Sequence, residues 1–303
     1  MQTNLLDRQI WKNINDAAQQ VEGALETDLM AYIGPIHPQY LKAFRNFIEA
    51  MGTPKRNAEA ITILLRTPGG IVEAAEKMVE IIRHHYLTVN FVVPDYAMSA
   101  GTILCMSGNK IYMDYSSSLG PIDPQVQVAG QGNSGWKFVP ALGYLDMVEK
   151  LINRATEGTL TQAEFLILQS QDLAMLRSYE QARDLSVSLL KKWLVEYKFK
   201  SWDKHRSDVS KKGQEVTSEE KEERAAAIAK QLGDNKVWHS HARMIGISTL
   251  TKDLRLEVED YSENINLRNK IRVYNDLLTD YVDRSGEGFI LHNRILQDDG
   301  AAS

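Results

Sequence analysis

Ser99 stands in the stretch Tyr96-Ala97-Met98-Ser99-Ala100-Gly101, after the apolar, β-branched run Val89–Val93 and Pro94. An apolar helical run with Ile103, Leu104 and Met106 follows it. A serine where a buried strand gives way to a helix lies near unpaired backbone N–H groups and the positive end of the helix dipole. That setting suits a nucleophile whose attack on a carbonyl creates an oxyanion. A second turn, Thr67-Pro68-Gly69-Gly70, closes the apolar run Ile61–Leu65. Glycine there lets the backbone approach closely and offer a further N–H. Gly70 and Ala100 are therefore the candidate oxyanion donors, and Gly69 lies where an extended substrate could add as a strand. The plainer reading of Ser99 is an exposed helix N-cap, worth about 1 kcal/mol.

A serine hydroxyl is a poor nucleophile until a base takes its proton. Lys137 follows the Gly/Gln/Asn/Ser-rich stretch after Val126, and Lys150 lies on the helix beyond it. A lysine serves as base only where burial lowers its pKa towards neutrality, and each of these also reads as a solvated surface charge. Asp123, in Gly120-Pro121-Ile122-Asp123-Pro124-Gln125, is a weak base at neutral pH unless its pKa is raised. His239 and His241, preceded by Asp234, lie two residues apart and would share one face of a strand, a spacing that also suits a metal. No third ligand is evident, and neither metal nor cofactor is expected. His37, in Gly34-Pro35-Ile36-His37-Pro38-Gln39, reads as a histidine that hydrogen-bonds its own loop. Its segment echoes the one around Asp123, as two loops shaped alike by proline.

These residues are positioned by an alternation of strands and helices. Short strands are expected at Leu29–Ile33, Ile61–Leu65, Val89–Val93 and Lys110–Met113, with helices over 39–51, 71–85 and after Ser99. Such alternation argues for a mostly parallel sheet with right-handed crossovers. Val126–Val139 reads as a mobile loop or short hairpin near the site. Helical spacing returns from Pro140 to Ala155, and a capping box at Thr161 opens a long helical region to about Tyr197. Lys198–Lys221 is polar, and its lysines read as solvated. Thr217 or Ser218 caps a further helix that ends at Gly233. Leu5–Val21 and Asn264–Arg284 are amphipathic helices lying outside the expected core.

The 303 residues are 43% apolar and 25% charged with a net charge of −5, and carry no basic block of the kind that binds nucleic acid. No apolar run is long enough to cross a membrane. The N-terminus is polar and amphipathic rather than a signal peptide. The single cysteine, Cys105, admits no internal disulfide, fits a reducing cytoplasm and reads as a buried thiol.

The Pro-Gly-Gly turn, Met-Ser-Ala-Gly after the next strand, and Gly-Pro-Ile-Asp-Pro-Gln beyond resemble the Clp-fold serine proteases, specifically the serine dehydrogenase proteinase group related to signal peptide peptidase A. The resemblance covers about 28–125 and, more weakly, 233–257. It implies an α/β Clp/crotonase spiral of β-α-β units with helical additions at the N-terminus, middle and C-terminus. The divisions would be an N-terminal helix over 1–27, a core over 28–260 with a helical insertion at about 156–232, and a C-terminal helix and tail over 261–303. It implies a serine peptidase acting through a Ser99 acyl-enzyme on peptides or unfolded proteins, with Gly69 and Pro121 beside the substrate. Homo-oligomers are implied, as is an ATP-dependent unfoldase or another protein as a further partner; the amphipathic faces of the helix after Thr161 and of the C-terminal helix are expected to form the interface between copies. The Clp subunit carries its base histidine where Asp123 stands here, so the base would be a lysine or His241 instead. Two rivals share the fold. One is a crotonase-type acyl-CoA enzyme using Asp123 as base. The other is an inactive peptide-binding scaffold.

Overall fold

The computed structural model describes residues 5–51, 59–123, 125–129, 136–206 and 210–296, with backbone alone at 125–129, 136–140, 235 and 236. In chain order the elements are α1 (Leu5–Leu25), β1 (Asp28–Ile33), α2 (Leu41–Met51), β2 (Ala60–Arg66), α3 (Val72–His85), β3 (Thr88–Val93), β4 (Tyr96–Ala97), α4 (Ala100–Met106), β5 (Lys110–Met113) and β6 (Ser118–Leu119). The hairpin β7 (Gln125–Ala129) and β8 (Trp136–Pro140) follows, then α5 (Ala141–Thr156), α6 (Gln162–Gln169), α7 (Leu173–Trp193) and α8 (Ser218–Leu232). The chain ends with α9 (Asn235–Trp238), β9 (Glu259–Asp260), α10 (Ile265–Ser285) and β10 (Ile290–His292).

The main sheet has the order β10-β1-β2-β3-β5-β9, parallel throughout except for β10, which runs antiparallel to β1. Its strands read as near-continuous apolar runs because helices cover both faces. Side chains alternate between those faces. Met30, Tyr32, Ile61, Ile63, Leu65, Phe91 and Val93 pack with α2, α3, α4, α7 and α8. Leu29, Ala31, Ile33, Leu64 and Val92 pack with α1 and α10. The four strands expected from the sequence all form.

The second layer corrects the expectation for the terminal helices. Their apolar stripes do not wait outside the core for another subunit. Ile14, Ala17, Ala18 and Val21 of α1 meet Ile271, Tyr274 and Leu278 of α10 over the sheet. Trp11 lies against Tyr281 with ring centroids 4.6 Å apart.

Two further expectations change. The region after Thr161 is two helices: α6 opens on the expected Thr161–Glu164 capping box, and Asp172 caps α7 through the Ala174 N–H at 2.8 Å. Lys198, expected to be solvated, is buried. A π-helical turn, Leu194–Lys198, brings it inward, where its Nζ donates to the Asn109 carbonyl at 3.3 Å. Burial pushes its pKa down to about 8, because an ammonium loses hydration there. Cys105 is buried as expected, and burial pushes its thiol pKa up.

The edge strand β10, which no sequence pattern announced, pins α1 to α10 through His292. The Tyr274 hydroxyl bonds Nδ1 at 2.7 Å and Asn15 Oδ1 accepts from Nε2 at 2.9 Å. Burial holds the His292 pKa down at about 3. The unfolded chain therefore binds a proton here at a higher pH than the folded chain does. Stability from this group is complete above about pH 6.5 and declines as pH falls towards 3. We expect the urea midpoint to fall between pH 7 and pH 4.5, and His292→Gln, which cannot titrate, to flatten that fall. Identical pH slopes for the two proteins would contradict the assignment.

Candidate active site

The turns at the C-terminal ends of β2 and β3 meet at Ser99, and the loop after β1 borders the first of them. Past β2, the Thr67 N–H donates to the Tyr96 carbonyl at 3.1 Å, and the Thr67 carbonyl accepts from the Met98 N–H at 3.0 Å. On the other side, the Ile36 N–H donates to the Gly69 carbonyl at 2.8 Å and the Ile71 N–H to the Ile36 carbonyl at 2.9 Å. One edge of the Gly69–Ile71 segment is thus occupied by the chain's own loop. Gly69 and Gly70 have φ of +95° and +147°. A Cβ on Gly69 would lie 2.6 Å from the Met98 carbonyl oxygen, and one on Gly70 2.0 Å from that of Ile36. Glycine is required at both places for conformation and for space.

Ser99 has φ +50° and ψ −113°, a conformation that costs a non-glycine residue on the order of 1–3 kcal/mol. The expected cap is not what forms. The hydroxyl makes no capping bond, and the residue is 1% exposed rather than a surface cap. Its Oγ donates instead to the Asp123 carbonyl at 2.8 Å. Ala100 begins α4, so its N–H lies ahead of the first intrahelical bond. The Gly101 N–H closes the turn on the Met98 carbonyl at 2.8 Å. The Thr102 hydroxyl lies between the Ala97 and Gly120 carbonyls, at 2.9 and 2.8 Å, and accepts the Gly120 N–H at 3.0 Å. That hydroxyl ties α4 to the loop carrying Pro121, Ile122 and Asp123, all buried.

Asp123 is 3% exposed. Its Oδ1 accepts the Leu142 N–H at 2.9 Å, in the first turn of α5, and its Oδ2 lies 3.6 Å from His241 Nδ1. A carboxyl group buried this far needs a hydrogen-bond partner, and the first turn of α5 supplies one, with the His241 ring packed beside the other oxygen. The structure brings together Ser99, Asp123, His241 and the Gly69–Gly70 turn. It does not place His239 and His241 on a strand: α9 ends at Trp238 and the chain then turns, with His239 at φ +60°. Lys150 lies on the exposed side of α5, without the burial that a lysine base requires. Lys137 pairs with Val128 in the β7–β8 hairpin, and its side chain lies outside the described residues. His37 behaves as expected, its Nδ1 accepting the Gln39 N–H at 3.2 Å.

Three participants escaped the sequence: Thr102, Ile36 and Leu142. Two of them act through main-chain groups, which residue type does not mark. The echo between GPIHPQ and GPIDPQ was the available signal, for one loop borders Gly70 and the other receives the Ser99 hydroxyl.

The sequence pattern of the ClpP-like SDH-type serine proteinases matches residues 40–208, more than half of the chain. The chain belongs to that family. That family is one of serine proteinases, and the chain carries the α/β fold with the parallel-rich sheet described above. An uncharacterized protein of Methanocaldococcus jannaschii is 41% identical over 66 residues, 22% of this chain and 23% of that one. The membrane protein NfeD1b of Bacillus subtilis is 26% identical over 137 residues, 44% of this chain and 31% of that one. These alignments span less than a third of the length of either relative. Among solved structures, the 1510-N membrane-bound stomatin-specific protease is 16% identical over 76% of each chain, with a TM-score of 0.42. No helix among the described residues of this SDH-type proteinase is long and apolar enough to cross a membrane.

The two-turn packing has a direct test in paired substitutions. Gly70→Ala should lower the unfolding temperature by several degrees, since the added methyl meets the Ile36 backbone at a φ that alanine avoids. Gly143→Ala, in α5 with open space around it, should be neutral or stabilising by up to about 1 kcal/mol. Thermal unfolding followed by circular dichroism measures both, and equal midpoints for the two variants would contradict the packing.

Proposed function

We propose that the chain is a serine peptidase in which Ser99 attacks the carbonyl of an extended peptide or unfolded protein. The Ser99 hydroxyl adds to the carbonyl carbon, its proton passes to a base, and the tetrahedral oxyanion takes hydrogen bonds from the Gly70 and Ala100 N–H groups. The base then gives its proton to the leaving amine, and water releases the acyl group by the reverse steps. The observation that carries this reading is the buried Ser99, at positive φ on a strand-to-helix turn against the glycine turn. No metal or cofactor enters this scheme.

We assign the base to Lys137. What supports this is backbone placement. Gln125 pairs with Pro140 at the foot of the hairpin, and the chain then enters α5, whose Leu142 N–H rests on Asp123. His241 is the second reading, favoured by its contact with the Asp123 carboxylate. The crotonase-type alternative finds less support, since both Asp123 oxygens already face partners. Hydrolysis of an unfolded casein-type substrate separates these readings. Ser99→Ala and Lys137→Ala should each lose at least about 100-fold in kcat, and His241→Ala much less. Full turnover in Ser99→Ala would remove the nucleophile. Normal turnover in Lys137→Ala with loss in His241→Ala would move the base to the imidazole.

The protein also assembles with copies of itself in this proposal. Support comes from α5 and α6 and the start of α7, which leave Met147, Ile152, Phe165, Leu166, Ile167 and Leu173 exposed together in sequence. Contiguous exposed apolar residues mark contacts more often than lone ones. Light scattering at micromolar concentration should give a multiple of 34.3 kDa. A single-chain mass throughout that range would contradict assembly.

A further inference from the structure

Asp123 is tied to three separate segments. Its backbone carbonyl accepts the Ser99 hydroxyl at 2.8 Å. Its carboxylate accepts the Leu142 N–H at 2.9 Å, where the β7–β8 hairpin runs into α5. Its second carboxylate oxygen faces His241 Nδ1 at 3.6 Å. The backbone and side chain of one residue share a Cα. The Leu142 hydrogen bond holds the carboxylate, and His241 packs beside its other oxygen, which limits how far the Asp123 carbonyl can swing and with it the resting direction of the Ser99 hydroxyl. We infer that Asp123 is a positioning residue for the nucleophile, coupling the aim of Ser99 to the seating of α5 and the hairpin. This inference rests on the peptidase reading of Ser99.

Asp123 does not itself exchange protons in this role. What matters is the length and direction of its side chain. Asparagine keeps both, because its Oδ1 still accepts the Leu142 N–H. Glutamate keeps the charge but moves the carboxyl outward by one methylene, so the Leu142 bond and the carbonyl direction cannot both be kept. Shape and charge thus make opposite predictions. A misplacement of about 1 Å at a reacting group costs about 100-fold in rate, and the effect falls on kcat where substrate contacts are untouched.

The experiment compares peptide turnover and Ser99 labelling by a fluorophosphonate in Asp123→Asn, Asp123→Glu and Asp123→Ala, each per folded molecule. Asp123→Asn should stay within about fivefold of the parent in kcat. Asp123→Glu and Asp123→Ala should lose about 10- to 100-fold in kcat and in labelling rate, with KM within about threefold. Thr161→Ala, which removes the α6 capping box away from Ser99, should lower the unfolding temperature and leave kcat alone. Asp123→Glu at the parental rate overturns the inference, as does Asp123→Asn falling as far as Asp123→Ala. If Asp123→Ala does not fold, the Asn and Glu pair still decides. A parent protein that neither turns over peptide nor labels at Ser99 overturns the peptidase reading and this inference together. A parent that labels normally while Asp123→Glu also labels normally overturns this inference alone.

Discussion

The site depends on how closely two turns approach. The Gly69 backbone lies where any side chain would stand 2.6 Å from the Met98 carbonyl oxygen and 2.9 Å from the Ser99 Cβ. Parallel pairing brings the ends of β2 and β3 side by side, and the hydrogen bonds of Thr67 to Tyr96 and Met98 carry that pairing past the sheet. Once the two chains are held so closely, one must be glycine and the other must leave sharply into a helix. Ser99 holds its costly φ where α4 packs through Ile103, Leu104 and Met106 into the main core. The strain of one residue is offset by the burial of a helix.

The second constraint is the buried carboxylate of Asp123. A polar group buried in this position is expensive unless it finds a hydrogen-bond partner. That partner comes from the first turn of α5, while the loop after α9, far away in sequence, packs His241 against the other oxygen. Asp123 therefore gathers the start of α5 and the 239–245 loop around Ser99. The Leu119–Ile245 bridge, with hydrogen bonds of 3.0 and 2.8 Å, closes the same loop onto the Gly120 segment.

Much of the sheet was legible because buried parallel strands are short apolar runs closed by turns, as at Ile61–Leu65 before Thr67-Pro68-Gly69-Gly70. Ser99 and its glycine neighbours were legible for the same reason, as small residues at strand ends. What could not be read was partner choice. The stripes of α1 and α10 have the spacing of any amphipathic helix, and nothing local says that they cover the same sheet face. Lys198 looks like the surface lysines that follow it, since only a π-helical turn aims it inward. Asp123 looked like a failed base because its type was compared with a histidine. Its actual partners are a main-chain N–H and an imidazole 118 positions away, and no spacing rule marks either.

The central claim is that the two turns form one oxyanion-stabilising nucleophile site. The most direct measurement is a crystal structure of the protein after reaction with a small fluorophosphonate. The account predicts phosphorus bonded to Ser99 Oγ, with a phosphoryl oxygen about 2.7–3.1 Å from the backbone nitrogens of both Gly70 and Ala100. An adduct on another residue, or a Ser99 adduct whose phosphoryl oxygen points away from both nitrogens, would contradict it.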